Sequence, residues 1–366
     1  MKTLTLTGAL LLLGLLVFFK TGWAGEENVQ EKAVASWRAR ESGCTSFKIK
    51  WKETQTFVEG SLTNPKARKR VALPPKTTEV DASFMLCADG EKMKEISDAM
   101  EITEKQEMKR QSETTVFNGE VNKSFRPTQI HDYPQGFIGD EKYLPGLNVY
   151  NLRPVLVPFR PFRYQKWGYF TETDLLNNYA NVASASIGEH KCTVLRDTRS
   201  SHSIYEELWL DPDRGYIPLR EVVFSRGKAI LQIDWDEYKR EGTIWVPVGW
   251  KIQQLSGGVK KTLLGKVLEF SVNQPIPPEE FEIDFPPGTW VIDRRSRDDH
   301  GKPSYYIVKS SGKRMISREE LTTKTYQELN QEQGFKLRWR LVLVLSAVAL
   351  VAIALVYYRR KKHVLH

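Results

Sequence analysis

The chain has 366 residues, of which 27% are charged and 40% hydrophobic, and a formal charge of +9 at pH 7. That length allows one large domain or two small ones with appendages. Six of the positive charges sit on Lys2, Lys20 and the run Arg359, Arg360, Lys361, Lys362, so residues 25–358 carry +3, and Lys336, Arg338 and Arg340 supply as much; the basic balance is not that of a nucleic-acid-binding domain.

In chain order, the first segment is "MKTLTLTGALLLLGLLVFFKTGWAG", with Lys2, an apolar run of 12 residues from Gly8 to Phe19, and small residues Gly22 and Ala24 before a cut. This layout predicts a secretory signal peptide over 1–24, an uncleaved anchor being the alternative. Residues 26–42 read as a helix on the partial period of Val29, Ala33, Ala35 and Trp37, ended by Gly43. "SFKIKWKET" alternates, with Phe47, Ile49 and Trp51 on one face and Lys48, Lys50 and Lys52 on the other, as a half-buried strand does. Residues 64–76 form a basic, proline-bearing loop. From Asp81 to Phe125 the chain reads as antiparallel strands turning at Asp89-Gly90 and Asn118-Gly119.

"LRPVLVPFRPFRYQKWGYF" (152–170) is apolar, but Pro154, Pro158 and Pro161 exclude it from a regular ladder; it is expected to cross over and pack on something. "TETDLLNNYA" (171–180) predicts a short helix capped by Thr171 or Thr173. Residues 182–273 read as an antiparallel meander. Its expected inward faces are Ala229, Leu231, Ile233 and Trp235; Ile244, Val246, Val248, Trp250 and Ile252; and Leu264, Leu268, Phe270 and Val272. After "FPPGTWVIDRR" (285–295), residues 304–316 predict a last hairpin and 317–340 a helix-prone stalk. Residues 341–358 are 18 in a row without a charge, with Trp339, Tyr357 and Tyr358 at interface depth. They predict one membrane span, and the dense basic cluster behind it places the short tail 359–366 in the cytoplasm.

Chemical motifs are sparse. The six histidines fall in no zinc-helix pattern. "SSHS" (200–203) is no nucleophile elbow, and "SGGVKKT" (256–262) has the wrong order for a phosphate loop. "DPDRGYIPLRE" (211–221) resembles a calcium loop, but Gly215 stands where a ligand is needed and Glu221 one place short. Its Pro212 and Gly215 point to a hairpin turn instead. No catalytic set, metal site or cofactor is expected, and the chain is read as a non-enzyme, a hydrolase with distant paired carboxylates being a remote alternative. Cys44, Cys87 and Cys192 leave two readings open: a Cys44–Cys87 disulfide with one free thiol, or three buried thiols.

Three stretches carry a family resemblance: the N-terminal helix leading into "SFKIKWKET", the meander "ELWLDPDRGYIPLREVVFSRGKAILQIDWDEYKREG", and the close "PIPPEEFEIDFPPGTWVIDRR". Their order and spacing are similar to the outer-membrane lipoprotein carrier and lipoprotein-sorting superfamily (LolA/LolB/RseB-like). The chain resembles a membrane-anchored variant of it. The resemblance implies a mainly β, α+β fold: a curved antiparallel half-barrel with an N-terminal helix, a covering helix or loop, and here one C-terminal transmembrane helix. The expected order is signal peptide 1–24, half-barrel domain 25–310, juxtamembrane stalk 311–340, span 341–358 and tail 359–366.

The implied function is an extracytoplasmic binding protein of the inner membrane, facing the periplasm and taking a lipid, acyl chain or lipoprotein. The alternative is an envelope sensor or protein-interaction module that transports no lipid. The candidate ligand face is Phe47, Ile49, Trp51, Leu231, Ile233, Trp235, Val246, Val248 and Trp250. The expected partners are the membrane, lipid or lipoprotein, and an envelope protein.

Overall fold

The computed structural model describes residues 28–57, 78–102, 108–127, 133–139, 149–162, 171–199, 203–255, 261–297, 300–331 and 346. The expected signal peptide, the tail and all of the span 341–358 except residue 346 lie outside them. Among the described residues no helix is long and apolar enough to cross a membrane.

The chain divides into two compact units, each drawn from two stretches: unit 1 from residues up to Gly90 and from Gly146–Ile276, unit 2 from Glu91–Pro145 and from Pro277 onward. Unit 1 opens with α1 (Val29–Gly43), β1 (Ser46–Phe57) and β2 (Thr78–Asp89). Unit 2 opens with β3 (Lys92–Ile102), β4 (Met108–Phe117), β5 (Asn122–Arg126) and β6 (Gln135–Gly139). Unit 1 resumes with α2 (Val149–Phe159), α3 (Glu172–Asn178), β7 (Tyr179–Ile187), β8 (His190–Asp197), β9 (Ile204–Asp211), β10 (Ile217–Ser225), β11 (Lys228–Glu241), β12 (Ile244–Gln254) and β13 (Lys261–Val272). Unit 2 closes with β14 (Trp290–Arg297), β15 (Pro303–Lys309), β16 (Gly312–Ile316) and α4 (Arg318–Thr323).

In unit 1 the strands run β2-β1-β13-β12-β11-β10-β9-β8-β7, every neighbour antiparallel. Short connections place β7 to β13 side by side in chain order, whereas β1 meets β13 from the far end of the unit's sequence. At the β10–β11 turn Arg226 and Gly227 both take positive φ, 50° and 75°, the geometry that suits a two-residue hairpin. The inner face of β1 is the expected one, with Phe47, Ile49 and Trp51 buried. On the other side Lys50 pairs with Glu269 at 2.8 Å.

β13 departs from its predicted face. Leu264 and Leu268 are 49% and 55% exposed, whereas Leu263 is buried. The register against β1 slips between Lys50 and Trp51: Lys50 lies opposite Glu269 but Trp51 opposite Val267, so Leu268 is the extra residue of a β-bulge. One extra residue inverts the alternation, so Val272 and Phe270 pair with inward Phe47 and Ile49, while Gly265 and Leu263 pair with inward Glu53 and Gln55.

The proline-bearing cross-over is helical. α2 contains Pro154 and Pro158 within its 11 residues. Pro158 has no N–H to offer the carbonyl of Pro154, and that carbonyl instead accepts the indole N–H of Trp235 at 2.8 Å. Residues 152–159 of α2 are all buried, on the inner face of β10 and β12. Phe159 stacks on Phe47 with ring centroids 4.8 Å apart.

α1 buries Ala33, Val34, Trp37 and Arg40; Ala35, expected on the inner face, is exposed. The helix is capped by Asn28, whose side chain accepts from Gln30 and Glu31. It docks on the turn between β9 and β10. Asp211 there caps a short 3-10 turn, Pro212–Arg214, its carboxylate accepting from the Asp213 backbone N–H and from Arg214 Nε at 2.6 Å. Gly215 ends the turn in the left-handed region, φ 67°. Its carbonyl accepts from Ser36 (2.8 Å) and Arg40 (3.1 Å), and that of Tyr216 accepts from Trp37 (2.6 Å). The apparent calcium loop is thus a turn whose carbonyls anchor a helix. α3 starts at Thr171, as expected, in a reciprocal capping box with Asp174.

Unit 2 runs β16-β15-β14-β6-β5-β4-β3. Its Asn118-Gly119 turn is a hairpin, with the Asn118 side chain accepting from the N–H groups of Glu120 and Val121. One pairing departs from an all-antiparallel sheet: β14 lies parallel to β6, Trp290 opposite Gln135. The expected hairpin at 304–316 is β15 and β16, and residue 310, taken as the end of the domain, falls in its turn. Beyond it α4 is capped by Ser317, and a further helix begins at Tyr326, whose Leu329 is fully buried against Ile307 and Ile316. Part of the expected stalk therefore packs on unit 2. Cys44, Cys87 and Cys192 are three buried free thiols, the second of the two readings.

Candidate functional site

The nine predicted ligand residues are all buried on unit 1: Phe47, Ile49, Trp51, Leu231, Ile233, Trp235, Val246, Val248 and Trp250. Strand alternation brings them to one face. Trp51 lies edge-on to Trp250 with centroids 6.0 Å apart and stacks on Phe84 at 5.2 Å. Trp250 stands opposite Trp235 on β11 and opposite Gly265 on β13. A Cβ at position 265 would lie 2.1 Å from Trp250 Nε1, so glycine is what lets the ring lie across β13. Trp235 and Phe47 are held by α2, through Pro154 and Phe159 respectively.

Charged groups absent from the predicted set share this interior. The alternation of β1 that turns Trp51 inward turns Glu53 and Gln55 inward two and four residues later, and both are buried. Glu53 accepts from Trp51 Nε1 at 3.2 Å and Gln55 Nε2 at 3.4 Å. Burial pushes its carboxyl up to about 7, against the pull of the Trp51 indole, Lys261 and Gln55. Lys261 is pushed down to about 8 by its own burial, with Glu53 opposing. The Gln55 amide oxygen is buried without a hydrogen-bond partner in this interior, and the buried Trp250 indole N–H also pulls the Glu53 carboxyl down.

A second node joins α2 to the meander. Arg153 donates to Glu221 at 2.8 Å and to Glu206 at 2.8 Å, and Tyr179 donates to the other oxygen of Glu206. Glu221 is fully buried; burial lifts its carboxyl to about 7 although Arg153 opposes. Arg160, just past α2, is also fully buried: it donates to the carbonyls of Gly90 (2.8 Å) and Cys44 (3.1 Å), and its guanidinium lies 5.2 Å over the Phe47 ring. The inner face is therefore an apolar floor with two carboxyls that prefer their protons near neutrality. That arrangement suits binding. Among the described residues no group of three or more metal-ligating side chains converges.

A separate concavity of about 490 Å³ brings together Arg220, Asp234, Asp236 and Lys251. Asp234 is held by Arg220 (2.5 Å) and Gln232 (2.7 Å), which leaves it tied as an ion-pair partner.

Among solved structures, the chain is similar to a protein described as an outer membrane lipoprotein-sorting domain from Vibrio parahaemolyticus, at 11% identity, covering 69% of this chain and 97% of that one with a TM-score of 0.38. It is likewise similar to a LolA superfamily protein from Nitrosomonas europaea, at 10% identity over 69% and 97% of the two chains, TM-score 0.37. Similarity to MucB is at 12% identity over 75% and 74%, TM-score 0.22. No family model matches the chain, and no curated protein does.

Proposed function

We propose that the chain is a membrane-anchored binding protein of the cell envelope, facing the periplasm, whose unit 1 inner face takes an acyl chain of a lipid or lipoprotein in place of α2. The observation that carries this reading is α2 itself. It is an apolar helix with two interior prolines, laid on an aromatic floor. Each interior proline costs a helix about 3 kcal/mol relative to alanine, so α2 depends on the floor for its shape. An acyl chain recovers about 0.8 kcal/mol per buried methylene, on the order of 10 kcal/mol for about a dozen of them. A weak helix and a strong apolar competitor share one surface.

The full burial of the nine floor residues also favours a second reading, an envelope sensor or protein-interaction module in which α2 stays in place. Mass spectrometry of lipids extracted from the purified full-length chain, with displacement of a bound fluorescent fatty acid, separates the two. Acyl binding predicts co-purifying acyl species and displacement, and stronger uptake in Trp235→Phe, which loses the bond to Pro154. No acyl species and no displacement in either protein would leave the interaction module.

A further inference from the structure

Where α1 meets the turn between β9 and β10, unit 1 holds a second, smaller cleft of about 370 Å³. Three guanidinium groups line it: Arg40 from α1, Arg214 from the turn and Arg240 from the end of β11. The hydroxyls of Ser36 and Thr243 and the ring of Trp245 complete its wall. Arg214 and Arg240 both lie over the Trp245 ring, at 5.6 and 5.9 Å from its centroid. Both cations are thus held beside one indole at the cleft.

The charges are poorly balanced. Arg40 is buried, and its two hydrogen bonds go to carbonyls, Pro158 at 3.0 Å and Gly215 at 3.1 Å; among the described residues it makes no ion pair. Burial holds its guanidinium down, at about 10, with no carboxylate to restore it. Arg240 donates from Nε to the carbonyl of Gly242 at 3.0 Å. Arg214 spends Nε on Asp211 at 2.6 Å. The one carboxylate lining the cleft is that of exposed Asp213. A buried cation without an anion costs several kcal/mol, which is the state of Arg40; with Arg214 paired to Asp211 and Arg240 exposed beside it, the cleft carries positive charge that an anion stabilises.

We propose that this cleft binds phosphate, either free inorganic phosphate or the phosphate of a lipid headgroup, on Arg40, Arg214 and Arg240. A carboxylate offers one charge and two oxygens to three forks. Inorganic phosphate brings a charge of about −1.5 to −2, and both it and a headgroup diester carry their oxygens on a tetrahedral centre, so the acceptors meet guanidinium forks arriving from different directions. The Thr243 hydroxyl adds a donor at the same wall, that of Ser36 being spent on the Gly215 carbonyl. The site is distinct from the inner face and stands whether or not that face binds an acyl chain.

Calorimetric titration of the full-length chain in neutral detergent tests the assignment with three probes. They are inorganic phosphate, a short-chain phosphatidylglycerol below its micelle concentration, and an uncharged monoacylglycerol of equal chain length. Saturable binding of inorganic phosphate, weakened at least tenfold in Arg240→Gln, supports the site with free phosphate as its source. Binding of phosphatidylglycerol alone, with the same loss in Arg240→Gln, supports it with a lipid headgroup as the source. Arg240 is exposed, so this variant keeps the packing of α1, and a thermal melt matching the parent checks that. The proposal is overturned if neither phosphate compound binds, or if Arg240→Gln binds inorganic phosphate and phosphatidylglycerol as the parent does; monoacylglycerol uptake reports the inner face alone.

Discussion

Gly265 and Glu53 face one another across β13 and β1, and between them they define the interior of unit 1. The glycine is needed for space, since any Cβ would enter the Trp250 ring at 2.1 Å. Overpacking of this kind costs about 1–3 kcal/mol where neighbours can yield, and here the neighbour is a buried indole. Gly265→Ala is expected to lower stability by about 3 kcal/mol and to change the near-ultraviolet dichroism of tryptophan, measured by urea denaturation. An unchanged midpoint would show that Trp250 does not lie across β13. Glu53 governs pH dependence. A carboxyl whose folded-state pKa is raised binds its proton more tightly in the folded chain than in the unfolded one. Stability from Glu53 and Glu221, lifted to about 7, and from Glu95, lifted to about 8 by burial and by Glu113, is therefore present in acid and lost as pH rises through that range. Lys261, pushed down to about 8, acts in the opposite sense only above that pH. The melting temperature is expected to fall between pH 5 and pH 8, and Glu53→Gln to remove on the order of 2 kcal/mol of that slope. A melt in Glu53→Gln that follows the parent across the range would assign the slope elsewhere. Glu53 and Gln55 were legible in the sequence: the alternation that carries Phe47, Ile49 and Trp51 continues through both. A hydrophobic pattern marks only the apolar residues of a face and is silent on the polar ones that share it.

At the scale of elements, strands and turns were read well, and the misreadings have one physical cause each. The residues predicted inward on β1, β11 and β12 are buried or half-buried, although the pairings of β11 slip at Ile230 and Asp236 and that of β12 at Val248. β13 departs from its predicted face, because the bulge at Leu268 is a property of its pairing with β1 and leaves no mark in its own sequence. The prolines of α2 argued against a ladder and, by the same rule, against a helix interior; the floor beneath overrides the second argument. Pro158 leaves the carbonyl of Pro154 open, and Trp235 fills it. Trp235→Phe is expected to cost about 2 kcal/mol, the penalty of a buried carbonyl without a donor. Pro158→Ala supplies a backbone N–H four residues on, so in the Trp235→Phe background it recovers part of that loss. Urea denaturation of the two single variants and the double closes the cycle. Strict additivity would mean that the two prolines and the indole do not share this carbonyl.

At the scale of the whole molecule, the interleaving of two units was not legible, because each is assembled from stretches far apart in the chain. Period and turn chemistry report on neighbours in sequence, and the parallel pairing of β6 with β14 joins residues about 150 positions apart. Membrane attachment rests on different physics, the hydropathy of residues 341–358 and the charge behind them. Eighteen residues rise about 27 Å as a helix, close to the hydrocarbon thickness of about 30 Å. The basic cluster at Arg359, Arg360, Lys361 and Lys362 sets the direction. On this proposal the full-length chain stays with membranes through an alkaline carbonate wash, and a chain ending at residue 331 is released. The three native cysteines are buried, so a single cysteine added after His366 reports cleanly on the tail. An impermeant maleimide is expected to leave that cysteine unlabelled in intact spheroplasts and to label it after lysis. Labelling before lysis would place the tail outside the cytoplasm. Release of the full-length chain by carbonate would remove the span altogether.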